Sequence, residues 1–205
     1  MKIFLSTLVI LVAYIVGSIP VGLLLARVTT GKDVRDVGSG RTGGANVLRV
    51  AGSGVALLTV LIDGAKGLLA VWLARAVVHS PFVEAMAGLL AVVGQNYSIF
   101  IGFKGGAGTI CTVGGAIGLW PWNGVILTGA GAAAVAATRH TSMGSITIAL
   151  LLPIILALRI WLADAPWAHL IHGLGASALT LWALRPNIRR LLKGQERQLT
   201  LHRSS

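Results

Sequence analysis

The chain has 205 residues, 55% of them hydrophobic and only 11% charged, whereas a soluble domain carries about 25% charged residues. Lys and Arg number 17 against 6 Asp and Glu, a formal net charge of +11. These values exclude an ordinary soluble domain and predict an all-α integral membrane protein, a single polytopic membrane domain over 1–205 with no separate soluble unit. The basic residues lie in the joints and the tail, which fits membrane topology and anionic lipid headgroups and argues against a nucleic-acid partner. The one cysteine, Cys111, rules out an intrachain disulfide and falls in an apolar stretch, where it reads as a small packed side chain.

The first apolar run predicts a span from Ile3 to Ala26. It is too long for a signal peptide, and no small-residue cleavage site follows it. Gly17-Ser18-Ile19-Pro20 is expected to kink it. Residues 27–52 read as a basic loop. The second span, Gly54 to Val77, carries Asp63 and Lys66 on one helix face, expected as a structural ion pair. After the His79-Ser80-Pro81 turn comes a third span, Phe82 to Ile101, whose Glu84 is expected to reach the interface. Residues 102–109 form a second glycine-rich joint, with Lys104. The fourth span, Thr109 to Leu119, is short enough to be a partial or tilted crossing.

Trp120-Pro121-Trp122-Asn123 makes a turn with interfacial tryptophans. The fifth span, Gly124 to Ala137, is rich in small residues that permit close helix packing. Residues 138–142 are a third polar joint. The sixth span runs from Met143 to Leu162, with Pro153 as a kink, and the seventh from Trp167 to Leu184, with His169 and His172 as packing or hydrogen-bonding residues. The tail, 185–205, is polar and basic, and its start extends the last helix. Seven crossings place the N-terminus outside and gather loops 27–52, 102–109 and 138–142 with the tail on one face. That face holds most of the basic residues and is expected to be cytoplasmic.

The most informative stretch is Gly38 to Arg49, GSGRTGGANVLR. Its glycines let backbone N–H groups turn toward a ligand, and Arg41 and Arg49 add forked donors suited to phosphate. It reads either as a phosphate-binding loop or as a basic connector that obeys the positive-inside rule. It is not a nucleotide P-loop, because no Gly-Lys-Ser/Thr closes it. The common face adds Lys104, Arg139, Ser142, Ser145 and Asn187, giving a cationic pocket lined by hydroxyls and amides. No His/Cys/carboxylate set has metal-ligand spacing, and no Gly-x-Ser-x-Gly elbow appears. Asp33 and Asp36 stand alone before the glycines. His140 reads as an interfacial histidine, with a role as base the alternative. What remains is charge neutralisation and positioning of phosphorylated substrates.

Taken together, the motifs resemble the bacterial membrane glycerol-3-phosphate acyltransferase family that uses acyl phosphate, the PlsY family. The resemblance rests on Tyr14 to Pro20, Gly38 to Arg49, Asp63-Gly64-Ala65-Lys66-Gly67, Phe103 to Gly108, Ser142 to Ile146 and Asn187 to Glu196, and it covers nearly the whole chain. It implies a seven-span fold in the bacterial plasma membrane with a cytoplasmic active face. The implied reaction moves a fatty acyl group from acyl phosphate to the 1-hydroxyl of glycerol 3-phosphate, giving lysophosphatidic acid. Ser39, Arg49, Lys104 and Ser142 are implied as catalytic residues, and Asn46 and Asn187 as substrate- or phosphate-binding ones; Gly40, Arg41, Gly105, Gly106 and Ser145, in the same motifs, are expected to bind substrate or phosphate with them. No metal or cofactor is expected. Partners are the two substrates, membrane lipid and the enzyme that makes acyl phosphate. The chain departs from the pattern at Gln95 (a histidine in the family), Ala107 (a lysine), Leu184 (a histidine) and Arg41-Thr42 (Asn-Pro). The alternative is therefore a catalytically impaired homologue that binds a lipid phosphate or a partner enzyme. An organic-anion transporter is a third reading, which no internal repeat supports.

Overall fold

A computed structural model describes residues 1–198. Residues 199–205 lie outside the described part, and with them the end of the predicted tail. Eight α-helices follow one another: α1 (Lys2–Ser18), α2 (Val21–Thr30), α3 (Gly44–Val78), α4 (Pro81–Asn96), α5 (Thr109–Leu119), α6 (Trp122–Thr138), α7 (Thr141–Ala163) and α8 (His169–Leu192). Short 3₁₀ turns occupy Val34–Asp36 and Ile99–Ile101, and there is no strand among the described residues. Counting α1 and α2 as one broken span gives seven helical units. The segments Lys2–Thr30, Gly44–Val78, Pro81–Ile101 and Thr141–Ala163 are long and apolar enough to cross a bilayer. The α5 helix has 11 residues and so is roughly 16 Å long, about half of a ~30 Å hydrocarbon core.

The outside of the bundle is apolar. Leu57, Leu61, Trp72, Leu150, Ile154 and Trp161 are all exposed, an arrangement that suits lipid and not water. Inside, glycines allow backbone-to-backbone contact. A Cβ on Gly114 would sit 1.9 Å from the carbonyl oxygen of Gly64, and one on Gly67 2.1 Å from that of Cys111, so α3 and α5 cross at the closest distance glycine permits. Gly17 and Gly94 do the same for α1 and α4, at 2.2 Å from the Ala91 oxygen and 2.3 Å from the Tyr14 oxygen.

The break between α1 and α2 and the buried ion pair explain each other. Helix α1 stops at Ser18, ahead of Pro20, so carbonyls at this break lack intrahelical partners. Lys66 Nζ donates to two of them, Gly17 O at 3.3 Å and Ile19 O at 2.9 Å. The same ammonium lies 2.7 Å from Asp63 Oδ1 and donates to Gln95 Oε1, while Gln95 Nε2 donates to Asp63 Oδ2 at 3.0 Å. A charge at this depth is tolerable because every side of it is met by a partner.

The structure corrects the sequence reading in four places. The basic loop is shorter than 27–52: α2 continues to Thr30, capped by the left-handed Gly31, and helix resumes at Gly44. The break expected near residue 52 survives only as a kink at Gly52, with φ 79° and ψ 179°, inside α3. Glu84 does not reach the interface; it is buried and bonded to Arg75 at 2.6 Å. Asp33 does not stand alone. It accepts from the Arg35 backbone N–H at 2.9 Å and pairs with Arg35 at 2.8 Å and Arg27 at 2.6 Å. The Arg35 side chain, helped by its backbone N–H and by Arg27, holds this carboxyl far below the usual aspartate range. Helix α8 passes through Pro186 and ends at Leu192, so the start of the tail continues the last helix, as the sequence reading expects.

Candidate active site

The irregular segment 31–43 and the first turns of α3 are organised around Asn46, which is 2% exposed. Its Nδ2 faces the carbonyl oxygens of Val37 (3.0 Å) and Arg41 (2.9 Å) and the Ser39 Oγ (3.2 Å). Its Oδ1 accepts from Arg49 Nη1 at 2.8 Å. Gly38 makes this possible: its φ is +66°, and a Cβ there would lie 2.3 Å from Asn46 Oδ1. The Arg49 guanidinium also donates to the Ala45 carbonyl at 3.0 Å. Asn46 therefore shapes the loop and aims Arg49.

This loop forms one wall of a cavity of about 640 Å³, within the ~300–1,000 Å³ usual for small-molecule sites. The start of α5, the C-terminal half of α6, the start of α7 and the end of α8 form the others. Ser39, Arg41, Asn46, Arg49, Ser142, Ser145 and Asn187 all line it. Gly40, Lys104, Gly105 and Gly106 do not, and Lys104 is exposed. Gly105 and Gly106 instead fasten their loop to the end of α4, donating to Asn96 O (3.0 Å) and Gln95 O (2.8 Å). Arg139 and His140 connect α6 to α7 and also lie outside the lining. Much of the remaining lining is apolar, with Val60, Ile110, Val135 and Ile148.

Three features were not assigned from sequence. Glu196, in the tail beyond α8, accepts from Ser142 Oγ (3.2 Å) and Asn187 Nδ2 (2.8 Å) on one oxygen and from Arg190 Nε (2.8 Å) on the other. It ties α7 to α8 across the pocket. Its place in the run Asn187–Glu196 was the only signal, and a contact spanning 54 residues leaves no local pattern. Asp63 and Gln95 also reach the lining, so the buried network under α1 borders the cavity. Finally, Gln95, Ala107 and Leu184, three positions where the chain departs from the family pattern, all line the same cavity.

Electrostatically the pocket is cationic. Arg190 is matched by Glu196, and Asp63 by Lys66. Arg41 and Arg49 have no acidic partner among the described residues. Burial, and then the nearness of Arg185 and Arg190, lower the Arg41 pKa from the ordinary arginine value. An arginine so placed still carries its charge at neutral pH.

A helical bundle with a lipid-compatible exterior, and with a cationic pocket that has a polar mouth and apolar walls, defines a membrane protein built for an anionic amphiphile. The comparisons with known proteins give the family. The glycerol-3-phosphate acyltransferase family model matches residues 7–194. A glycerol-3-phosphate acyltransferase of Syntrophomonas wolfei is 40% identical over 93% of this chain and 95% of its own length, and one of Rubrobacter xylanophilus is 38% identical over 95% of each. The crystal structure of PlsY, an integral membrane glycerol 3-phosphate acyltransferase, in its glycerol 3-phosphate form superposes with a TM-score of 0.86 at 30% identity, covering 95% of this chain and 96% of that one. Its lysophosphatidic acid form gives 0.83 at 28% identity, covering 95% of each. The chain belongs to the glycerol-3-phosphate acyltransferase family.

Proposed function

We propose that the protein transfers a fatty acyl group from acyl phosphate to the 1-hydroxyl of glycerol 3-phosphate, in a bacterial plasma membrane with the pocket facing the cytoplasm. The observation that carries this reading is the convergence of Ser39, Arg49, Ser142 and Asn187, from three separate parts of the chain, on one cavity with apolar inner walls. A polar, cationic mouth suits two phosphates, and the apolar interior suits an acyl chain. Relatives whose names describe glycerol 3-phosphate acyltransfer support it.

In this reading the 1-hydroxyl oxygen attacks the acyl carbonyl carbon, the carbonyl–phosphate C–O bond breaks, and inorganic phosphate leaves. The leaving phosphate takes the hydroxyl proton, so no side-chain base is required. Ser39 and Arg49 hold one phosphate at the loop. Ser142 and Asn187, pre-set by Glu196, orient the hydroxyl from the opposite wall. Charge neutralisation and positioning supply the rate. Lys104, exposed beside this mouth, attracts substrate from outside it. The whole chain works as one membrane domain, with the N-terminus outside.

Formation of labelled lysophosphatidate from radiolabelled glycerol 3-phosphate by purified protein in lipid tests the assignment. Product that appears with acyl phosphate and not with acyl-coenzyme A supports it. Absence of product from folded protein, or product with acyl-coenzyme A alone, refutes it.

A further inference from the structure

Two arginines that line the pocket, Arg41 and Arg197, have no partner described above; Arg197 is exposed, whereas Arg41 is half-buried. The Arg41 Nη1 is buried and has no hydrogen-bond partner among the described residues. The residue lines the cavity, and of the titratable groups near enough to perturb it Arg185 and Arg190 share its sign, with Tyr97 acting more weakly the other way. A buried donor left unmade is costly, and the cost is larger for a charged group. Arg190 has Glu196 and Arg49 has the Asn46 and Ala45 oxygens; Arg41 has no comparable side-chain acceptor.

We propose that Arg41 is a substrate-phosphate ligand, binding one of the two phosphates of the reaction while Arg49 binds the other. This rests on the acyltransferase reading of the pocket. A planar guanidinium can grip two phosphate oxygens at once, and two dianions held on two separate arginines can approach without their mutual repulsion opposing the attack. The ligand chemistry is a terminal phosphate, either that of glycerol 3-phosphate or that of the acyl donor. Position 107 offers an independent check. The 103–108 loop meets the 38–43 loop, since a Cβ on Gly106 would lie 3.7 Å from Thr42 Oγ1, and Ala107 lines the same cavity without contributing charge. A lysine there restores a cation to the same end of the pocket.

The test compares wild type, Arg41→Gln and the double variant Arg41→Gln/Ala107→Lys, measuring KM for each substrate separately. Arg41→Gln is expected to raise KM for one substrate by roughly tenfold or more and to leave the other within about threefold. The substrate that moves identifies the phosphate, and the double variant is expected to recover most of the loss. Two unchanged KM values overturn the proposal. A rise in both that the added lysine leaves unrelieved marks a merely structural role and also overturns it. Should Arg41→Gln not fold, phenylglyoxal modification of the wild-type protein decides, read by peptide mass spectrometry with and without inorganic phosphate. Protection of Arg41 by phosphate supports the proposal and absence of protection refutes it. A wild type that forms no lysophosphatidate refutes the acyltransferase reading instead, and the protection measurement still settles Arg41.

Discussion

Asn46 shows how one side chain can set a site without touching its substrate. Its amide spans the loop carbonyls and its oxygen fixes Arg49, so the guanidinium is aimed before any ligand arrives. Removing the charge leaves this framework standing. Arg49→Ala is therefore expected to lower kcat/KM by roughly ten- to 150-fold, the loss of one charge-assisted hydrogen bond worth about 1.5–3 kcal/mol, with the thermal midpoint in detergent unchanged. Steady-state kinetics beside a melting curve checks both halves. The sequence makes the arginines and glycines of this loop visible, because their types are tied to phosphate chemistry. It does not show that Asn46 bonds inward, that Lys104 is exposed and outside the cavity lining, or that Glu196 folds back over Ser142 and Asn187. Those outcomes depend on where distant backbone segments meet.

At the scale of elements, the junction of α1, α2, α3 and α4 depends on Lys66. It satisfies carbonyls at the break between α1 and α2 and is in turn neutralised by Asp63 and braced by Gln95. Asp63→Asn leaves a buried ammonium without its counter-charge, a change worth about 3–5 kcal/mol, and is expected to lower the thermal midpoint sharply. The double variant Asp63→Asn/Lys66→Met is expected to recover part of that loss, because it removes the stranded charge. A single variant as stable as wild type would contradict the network. The Asp63–Lys66 pair is legible from the three-residue spacing. Gln95 as its third member is not, since it lies 29 residues away on another helix. Helix α5 falls on the predicted Thr109 to Leu119 because Gly108 and the Trp120-Pro121 turn bound it. The start of α3 was missed because a glycine-rich run reads as loop, although Gly43 caps a helix that begins at Gly44.

For the molecule as a whole, composition alone gives the membrane class, and the helical bundle with its apolar exterior agrees. The orientation is a prediction. The pocket end carries the loop and tail cations, so it is expected inside. Cys111 is buried, which leaves single-cysteine labelling clean. In intact cells, Trp122→Cys, at the end of α6 away from the pocket, is expected to react with an impermeant maleimide. Lys193→Cys, just beyond α8, is expected to react only after the membrane is opened. The reverse pattern would place the pocket outside and deny it cytoplasmic substrates.

The most direct test of direct transfer between two bound phosphates is phosphate release from acyl phosphate by purified protein in lipid, with and without glycerol 3-phosphate. Direct transfer predicts release that depends on glycerol 3-phosphate, matches lysophosphatidate mole for mole, and falls with Arg49→Ala. A burst of phosphate without glycerol 3-phosphate, equal to the enzyme present, would mean an acyl-enzyme intermediate and would contradict it.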